Sequence, residues 1–162
     1  MPGKWKNSQV PYLVGPMDAF TEPDTERVVM QFGAQMGKSE GLIANVVGYF
    51  CSEDPSPILI VTPREIDAKK MSRVRLTPMF RDTPCLKGVL KESRSKDAGN
   101  TILEKQTTTG ARILLGGANS PANLASDPIR ILLVDELDRC PASSGTEGDV
   151  VEIAETRTST FA

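Results

Sequence analysis

Two short groups of residues carry side chains whose types and spacing could do chemistry. In the first, Gly37 is followed at once by Lys38 and Ser39. Lys38 would bring an ammonium to the β- and γ-phosphates of a nucleotide, and Ser39 would place a hydroxyl on Mg²⁺. The backbone through Gly33, Ala34, Gln35, Met36, Gly37 and on to Glu40 would surround phosphate oxygens with N–H donors. In the second group, Asp135 and Glu136 follow four aliphatic residues, Ile131 to Val134. Two acids have two jobs there. One must stay anionic on a cation, which is the role read for Asp135, while Glu136 orients and deprotonates the attacking water. Lys38 and Glu136 are thus the candidate catalytic residues, and Ser39 and Asp135 the candidate metal ligands.

The elements around these groups must hold them in place. Val28, Val29 and Met30 read as a short buried strand, Gly33 and Gly37 as a turn, and Leu42, Ile43, Val46, Val47 and Phe50 recur at helical spacing after it. The usual phosphate loop is Gly-x-x-x-x-Gly-Lys-[Ser/Thr], yet here Phe32 stands at the first glycine position and the glycine has moved to Gly33. An ordinary strand-turn-helix would carry the same letters. The run ending in Asp135-Glu136 has the look of a central parallel strand, which delivers acids to the carboxyl edge of a sheet where ligands bind. Between the two groups, Ile58 to Val61 reads as a strand and the residues after Pro63 as a helix. Such alternation predicts an α/β fold with a mostly parallel sheet flanked by helices.

The remaining segments are less distinctive. Residues 1–26 read as a proline-marked arm lying on the core, in which Tyr12 or Phe20 either packs or flanks a base. Thr77 to Pro84 is expected to end the second helix, and Cys85 to Gly99 to be a basic helix or loop. Thr101 to Lys105 and Arg112 to Leu115 should pair as a hairpin or as adjacent strands. Gly116 to Pro121 reads as a loop, Asn123 to Ser126 as a turn, and Val150 to Arg157 as a helix with acids near its start. Residues 27–162 then form one nucleotide-binding domain, expected to be incomplete at its C-terminus because no strand follows the acid-bearing one.

Composition excludes several classes. Histidine is absent from the 162 residues, which removes Ser-His and Cys-His catalysis and leaves carboxylates, Lys and Arg. Cys51, Cys85 and Cys140 fit neither a disulfide framework nor a zinc site. No apolar run approaches a membrane span, and the N-terminus lacks the apolar block of a signal peptide, so the expected compartment is the cytoplasm. The net charge of −2 hides an uneven distribution: from Arg64 to Arg112 there are 12 Lys/Arg against 6 Asp/Glu. That segment is the candidate polyanion surface, the other reading being a solvated face of mixed charge.

Taken together, nine stretches resemble the ATPase region of phage terminase large subunits of the lambda-like GpA type. They are Met17–Phe20 (MDAF), Gln35–Glu40 (QMGKSE), Gly48–Phe50 (GYF), Thr62-Pro63, Leu76–Pro84 (LTPMFRDTP), Asn100–Lys105 (NTILEK), Gly116–Ser126 (GGANSPANLAS), Val134–Arg139 (VDELDR) and Glu147–Phe161 (EGDVVEIAETRTSTF). The resemblance implies a helicase-like P-loop NTPase that hydrolyses Mg²⁺-ATP to drive double-stranded DNA into a capsid in the host cytoplasm. It also implies homo-oligomers at a capsid portal, with a small DNA-recognising terminase subunit as partner. By position, Lys38 and Ser39 match the phosphate and Mg²⁺ groups of that family's loop, Asp135 its Mg²⁺-binding acid and Glu136 its catalytic acid. Many relatives carry an arginine where Ala34 precedes Gln35, so the neutralising arginine would come from elsewhere. The family's coupling motif and nuclease domain have no counterpart in these residues. The other readings are a different helicase-like DNA translocase and a non-catalytic nucleotide-binding assembly module.

Overall fold

The computed structural model describes residues 6–33, 35–91, 101–120, 127–144 and 148–161. Ala34, the Asn123 to Ser126 turn and most of the Cys85 to Gly99 segment lie outside them. The chain forms two compact units, residues 1–46 and 47–162.

Unit 47–162 is a mixed α/β layer structure around a four-stranded sheet. Its strands are β1 (Ile58–Thr62), β2 (Glu104–Gln106), β3 (Arg112–Gly117) and β4 (Ile131–Val134), in the spatial order β2-β3-β1-β4. β1 pairs parallel with both β3 and β4, and β2 closes one edge antiparallel to β3 with Lys105 opposite Ile113. The sheet is central where the sequence is most aliphatic. Every residue of β1 is buried, and each such aliphatic side chain contributes roughly 1.5–3 kcal/mol on leaving water. One face of the sheet, with Leu59, Val61, Leu114, Leu132 and Val134, packs with Ala118, Ile129, Val150, Ile153 and Ala154. Val150 and Ala154 belong to helix α4 (Val150–Glu155), whose start is fixed by Asp149 accepting the Val151 and Glu152 N–H groups at 2.7 and 3.2 Å.

Helix α3 covers residues 65–82 and departs from the expected break at Thr77. It runs as α-helix over Glu65–Lys70, π-helix over Met71–Leu76 and α-helix again over Thr77–Asp82. The wider turn explains how Pro78 is accommodated. Thr77 N–H reaches back to Ser72 C=O, and Thr77 Oγ1 donates to the same carbonyl at 2.9 Å. Pro78 then falls in the first turn of the resumed α-helix, where its missing N–H removes nothing. The chain leaves the helix at Thr83, whose extended backbone precedes Pro84.

A second departure concerns Gly116 and Gly117, which lie in β3 rather than in a loop and are buried there. Beyond the strand, Ala118 N–H still donates to Thr62 C=O at 2.8 Å. At the other end of the sheet Arg130 anchors the entry to β4. Its Nη1 donates to Asp54 Oδ2 at 2.7 Å and Ser56 Oγ at 2.9 Å, and its guanidinium lies 5.7 Å from the Phe50 ring centroid.

Unit 1–46 holds helix α1 (Val14–Ala19) and the start of helix α2, which covers residues 39–52 as π-helix over Ser39–Ala44 and α-helix over Asn45–Ser52. The expected strand at Val28 to Met30 is not formed. Those residues have no regular secondary structure, and Val29 is 83% exposed. An apolar run becomes a strand only where a neighbour supplies hydrogen bonds, and the described ladders join β1 to β4 alone. The helical spacing after the loop is realised: Leu42, Ile43, Val46, Val47 and Phe50 are all buried. The three cysteines are free thiols, and burial pushes Cys51 up to about 12. No helix among the described residues is long and apolar enough to cross a membrane.

Candidate active site

The loop residues belong to unit 1–46. Among the described residues only two that are not glycine adopt positive φ, and Gln35 is one of them, at φ 60°. Gly37 follows at φ 77°, a conformation that an L side chain rarely adopts. Nothing lies within 4 Å of a Cβ built on Gly37, so glycine is required there by backbone conformation and not by space. Lys38 then enters the helical region, and Gly41 N–H makes the first turn's bond onto Gly37 C=O at 2.6 Å. A helix beginning in this way presents amide donors and partial positive charge to an anion. The loop is braced from within its own unit: Tyr12 Oη donates to Met36 C=O at 3.2 Å, and the Tyr12 and Phe32 rings stand 6.2 Å apart. That brace was not foreseen beyond the general expectation that Tyr12 packs. Gly33, Gln35, Met36 and Glu40 are exposed, and Lys38 and Ser39 half-buried.

The acids belong to unit 47–162 and sit at the carboxyl end of β4, but that strand is not the expected central one: among the described strands it is an edge strand, paired with β1 alone. Asp135 N–H donates to Val61 C=O at 2.9 Å and extends the ladder with β1 by one residue. Glu136 then turns out of the sheet. It is the other non-glycine residue of positive φ, at φ 51° and ψ 48°, a conformation costing on the order of 1–3 kcal/mol for such a residue. A single 3₁₀ turn, Leu137–Arg139, holds it: Arg139 N–H donates to Glu136 C=O at 2.8 Å, and Arg139 Nη1 to Glu136 Oε2 at 3.0 Å.

Facing this turn is the end of β1. Arg64 forks onto Asp67, with Nε to Oδ2 at 2.8 Å and Nη2 to Oδ1 at 3.0 Å. Pro63, Arg64, Asp67, Glu136 and Arg139 line an open cleft of about 330 Å³. Its charges alternate in sign. The Arg64 hydrogen bond holds the Asp67 carboxyl below its ordinary value, Arg139 adding a smaller pull the same way. Arg64 is in turn raised, first by Asp67 and least by Glu136. Of the residues that line this cleft, the sequence singled out Glu136 as a candidate but not Arg64, Asp67 or Arg139. The available signals were an arginine at the end of β1 and another three residues after Glu136.

The family of the phage terminase large subunit gpA ATPase domain matches residues 1–162. The chain belongs to that family. No curated protein and no solved structure matches it. As a terminase ATPase domain it has its two candidate groups in conformations that ordinary loops avoid, since its left-handed non-glycine residues among those described fall one in the Gln35–Gly37 loop and one at Glu136. Strained backbone of this kind concentrates at functional sites. The start of helix α2 at the loop suits the phosphates of the nucleotide that such a domain implies.

The basic stretch is only partly available to a polyanion. Lys69 pairs with Glu65, Arg81 with Asp82, and Arg112 with both Glu104 and Asp127. Lys105 is 9% exposed on β2, and desolvation lowers its pKa. Lys70, Arg73 and Arg75 are exposed along α3, and Lys87 follows soon after. Arg94 and Lys96 lie outside the described residues.

Proposed function

We propose that the chain is the ATPase motor portion of a DNA-packaging terminase, with a helicase-like P-loop fold, hydrolysing Mg²⁺-ATP to drive double-stranded DNA into a capsid. The observation that carries this reading is the left-handed Glu136 at the carboxyl edge of a parallel strand, in a chain of the terminase ATPase-domain family. Residues 33–40 bind the phosphates, Lys38 placing its ammonium on them and Ser39 and Asp135 serving as Mg²⁺ ligands. When bound, the ion neutralises phosphate charge. Glu136 takes the proton from the attacking water, its left-handed backbone redirecting the Cα–Cβ bond off the strand. Lys70 and Arg73 touch DNA phosphates without reading sequence. The domain works in host cytoplasm as a homo-oligomer, with the small subunit and the portal as partners.

Phosphate release measured with and without DNA tests the proposal: ATP-dependent release supports it, and none under either condition identifies a nucleotide-binding assembly module instead. Lys38→Ala should remove detectable ATP binding in a titration, because a loop without its ammonium leaves the β- and γ-phosphate charge unmatched. Unchanged affinity would dismiss the loop assignment. For DNA, the double substitution Lys70→Glu with Arg73→Glu should make log affinity fall less steeply with log salt, by about 1 for each DNA phosphate that is no longer neutralised. An unchanged slope would return those residues to the role of a solvated face.

A further inference from the structure

The geometry points to Arg139 as a positioning residue that holds the Glu136 carboxylate in the orientation it presents to the cleft. This inference rests on the reading of Glu136 as the proton acceptor. A left-handed glutamate at the end of a strand has its Cα–Cβ bond redirected, but its own three side-chain torsions remain free, so backbone strain alone leaves the carboxylate unplaced. Arg139 closes that freedom. One 3₁₀ turn sets its backbone by the bond onto Glu136 C=O, and the same residue's guanidinium returns to Glu136 Oε2 at 3.0 Å. The two bonds tie both ends of the glutamate to one neighbour. The Nη1 contact is made to Oε2, one of the two carboxylate oxygens.

The opposite wall of the cleft carries charges complementary to the Glu136–Arg139 pair. The Arg64–Asp67 fork faces the Glu136–Arg139 pair with its charges reversed, so each cation has a carboxylate of the other pair as a second attraction. Arg139 thus supplies a guanidinium beside the acid from within the chain, although it acts through Glu136 and not on phosphate.

Steady-state ATP hydrolysis by the full chain tests this. Arg139→Ala should lower kcat by about 3- to 5-fold, the most that an exposed ion pair can supply by orienting the acid, while KM for ATP stays within about twofold of wild type. Arg139→Lys, which keeps a cation but not the planar fork, should recover part of the loss. A kcat within about twofold of wild type in Arg139→Ala overturns the proposal, as does a loss expressed in KM, or a lysine variant no better than alanine. The parent reading fails by a different result: Glu136→Gln turning over like wild type. A readout independent of turnover is proton exchange at the Arg139 guanidinium followed by NMR. Exchange slower in wild type than in Glu136→Gln supports the tie, and equal rates in the two overturn it.

Discussion

Glu136→Gln is expected to keep ATP bound and to stop its hydrolysis. The amide has the size of the acid and cannot accept the proton of the attacking water, so the loss should be about 10²- to 10⁴-fold in kcat, the usual contribution of a positioned acid-base group. Binding should persist because the proposed phosphate ligands lie on residues 33–40. Folding should persist as well. Gln35 already occupies the left-handed region at φ 60°, so glutamine is compatible with the backbone that position 136 requires. The ion pair that Glu136 makes with Arg139 is exposed, 69% at the arginine side chain, and removing such a pair costs about 0–1 kcal/mol. Turnover is followed by phosphate release and occupancy by nucleotide titration on the same sample. Full turnover with normal binding would remove Glu136 from its role, whereas an absence of both binding and turnover would mean that position 136 supports the nucleotide itself.

That prediction uses the part of the molecule most legible in the sequence. Strand β1 was readable because a parallel strand buried on both faces must be continuously aliphatic; β4 was readable from the same aliphatic run, Ile131 to Val134, although it lies at the edge of the described sheet and is only partly buried. The pairing of β2 with β3 was readable from the β-branched residues at a Thr/Gly turn, although β2 runs over Glu104–Gln106 and not over Thr101 to Lys105. Helix α2 was readable from its apolar spacing. What escaped depends on contacts that no local pattern encodes. Val28 to Met30 has the composition of a strand but no partner in the described ladders. Thr77-Pro78 has the letters of a helix stop, yet a π turn one residue earlier changes which carbonyl needs a donor, and the helix continues. The left-handed turn at Glu136 was invisible because nothing in Asp135-Glu136-Leu137 calls for positive φ; the surrounding structure imposes it. Arg139 and Arg64 were overlooked for a related reason. Surface arginines are common, and only the fold brings one from each strand end to the same cleft.

Gly117→Ala should damage the fold and the cleft together, and it separates space from conformation as the reason for a glycine. Gly117 is the last residue of β3, paired with Thr62, and its φ is not in the left-handed region. The constraint is therefore steric. A Cβ there would press on the backbone N of Glu65 and lie 2.9 Å from Arg64 C and 3.1 Å from Glu65 Cα. All three are main-chain atoms at the start of α3, so no side chain can rotate away and the helix start must shift. Overpacking of that kind costs about 1–3 kcal/mol, which for a chain of this size is a fall in Tm of roughly 2–12 °C. Gly15→Ala is the control: nothing lies within 4 Å of its built Cβ, it is inside α1, and it should be neutral or gain up to about 1 kcal/mol. The functional consequence follows from what α3 carries at its start. Arg64 and Asp67 form one wall of the cleft, so a displaced helix start moves that wall away from Glu136 and Arg139. Loss of turnover in Gly117→Ala at a temperature where the protein is still folded, by far-UV circular dichroism, would show that the wall matters to the chemistry. Full turnover at that temperature would assign Gly117 to packing alone and leave Arg139 to hold Glu136 without help from the opposite wall.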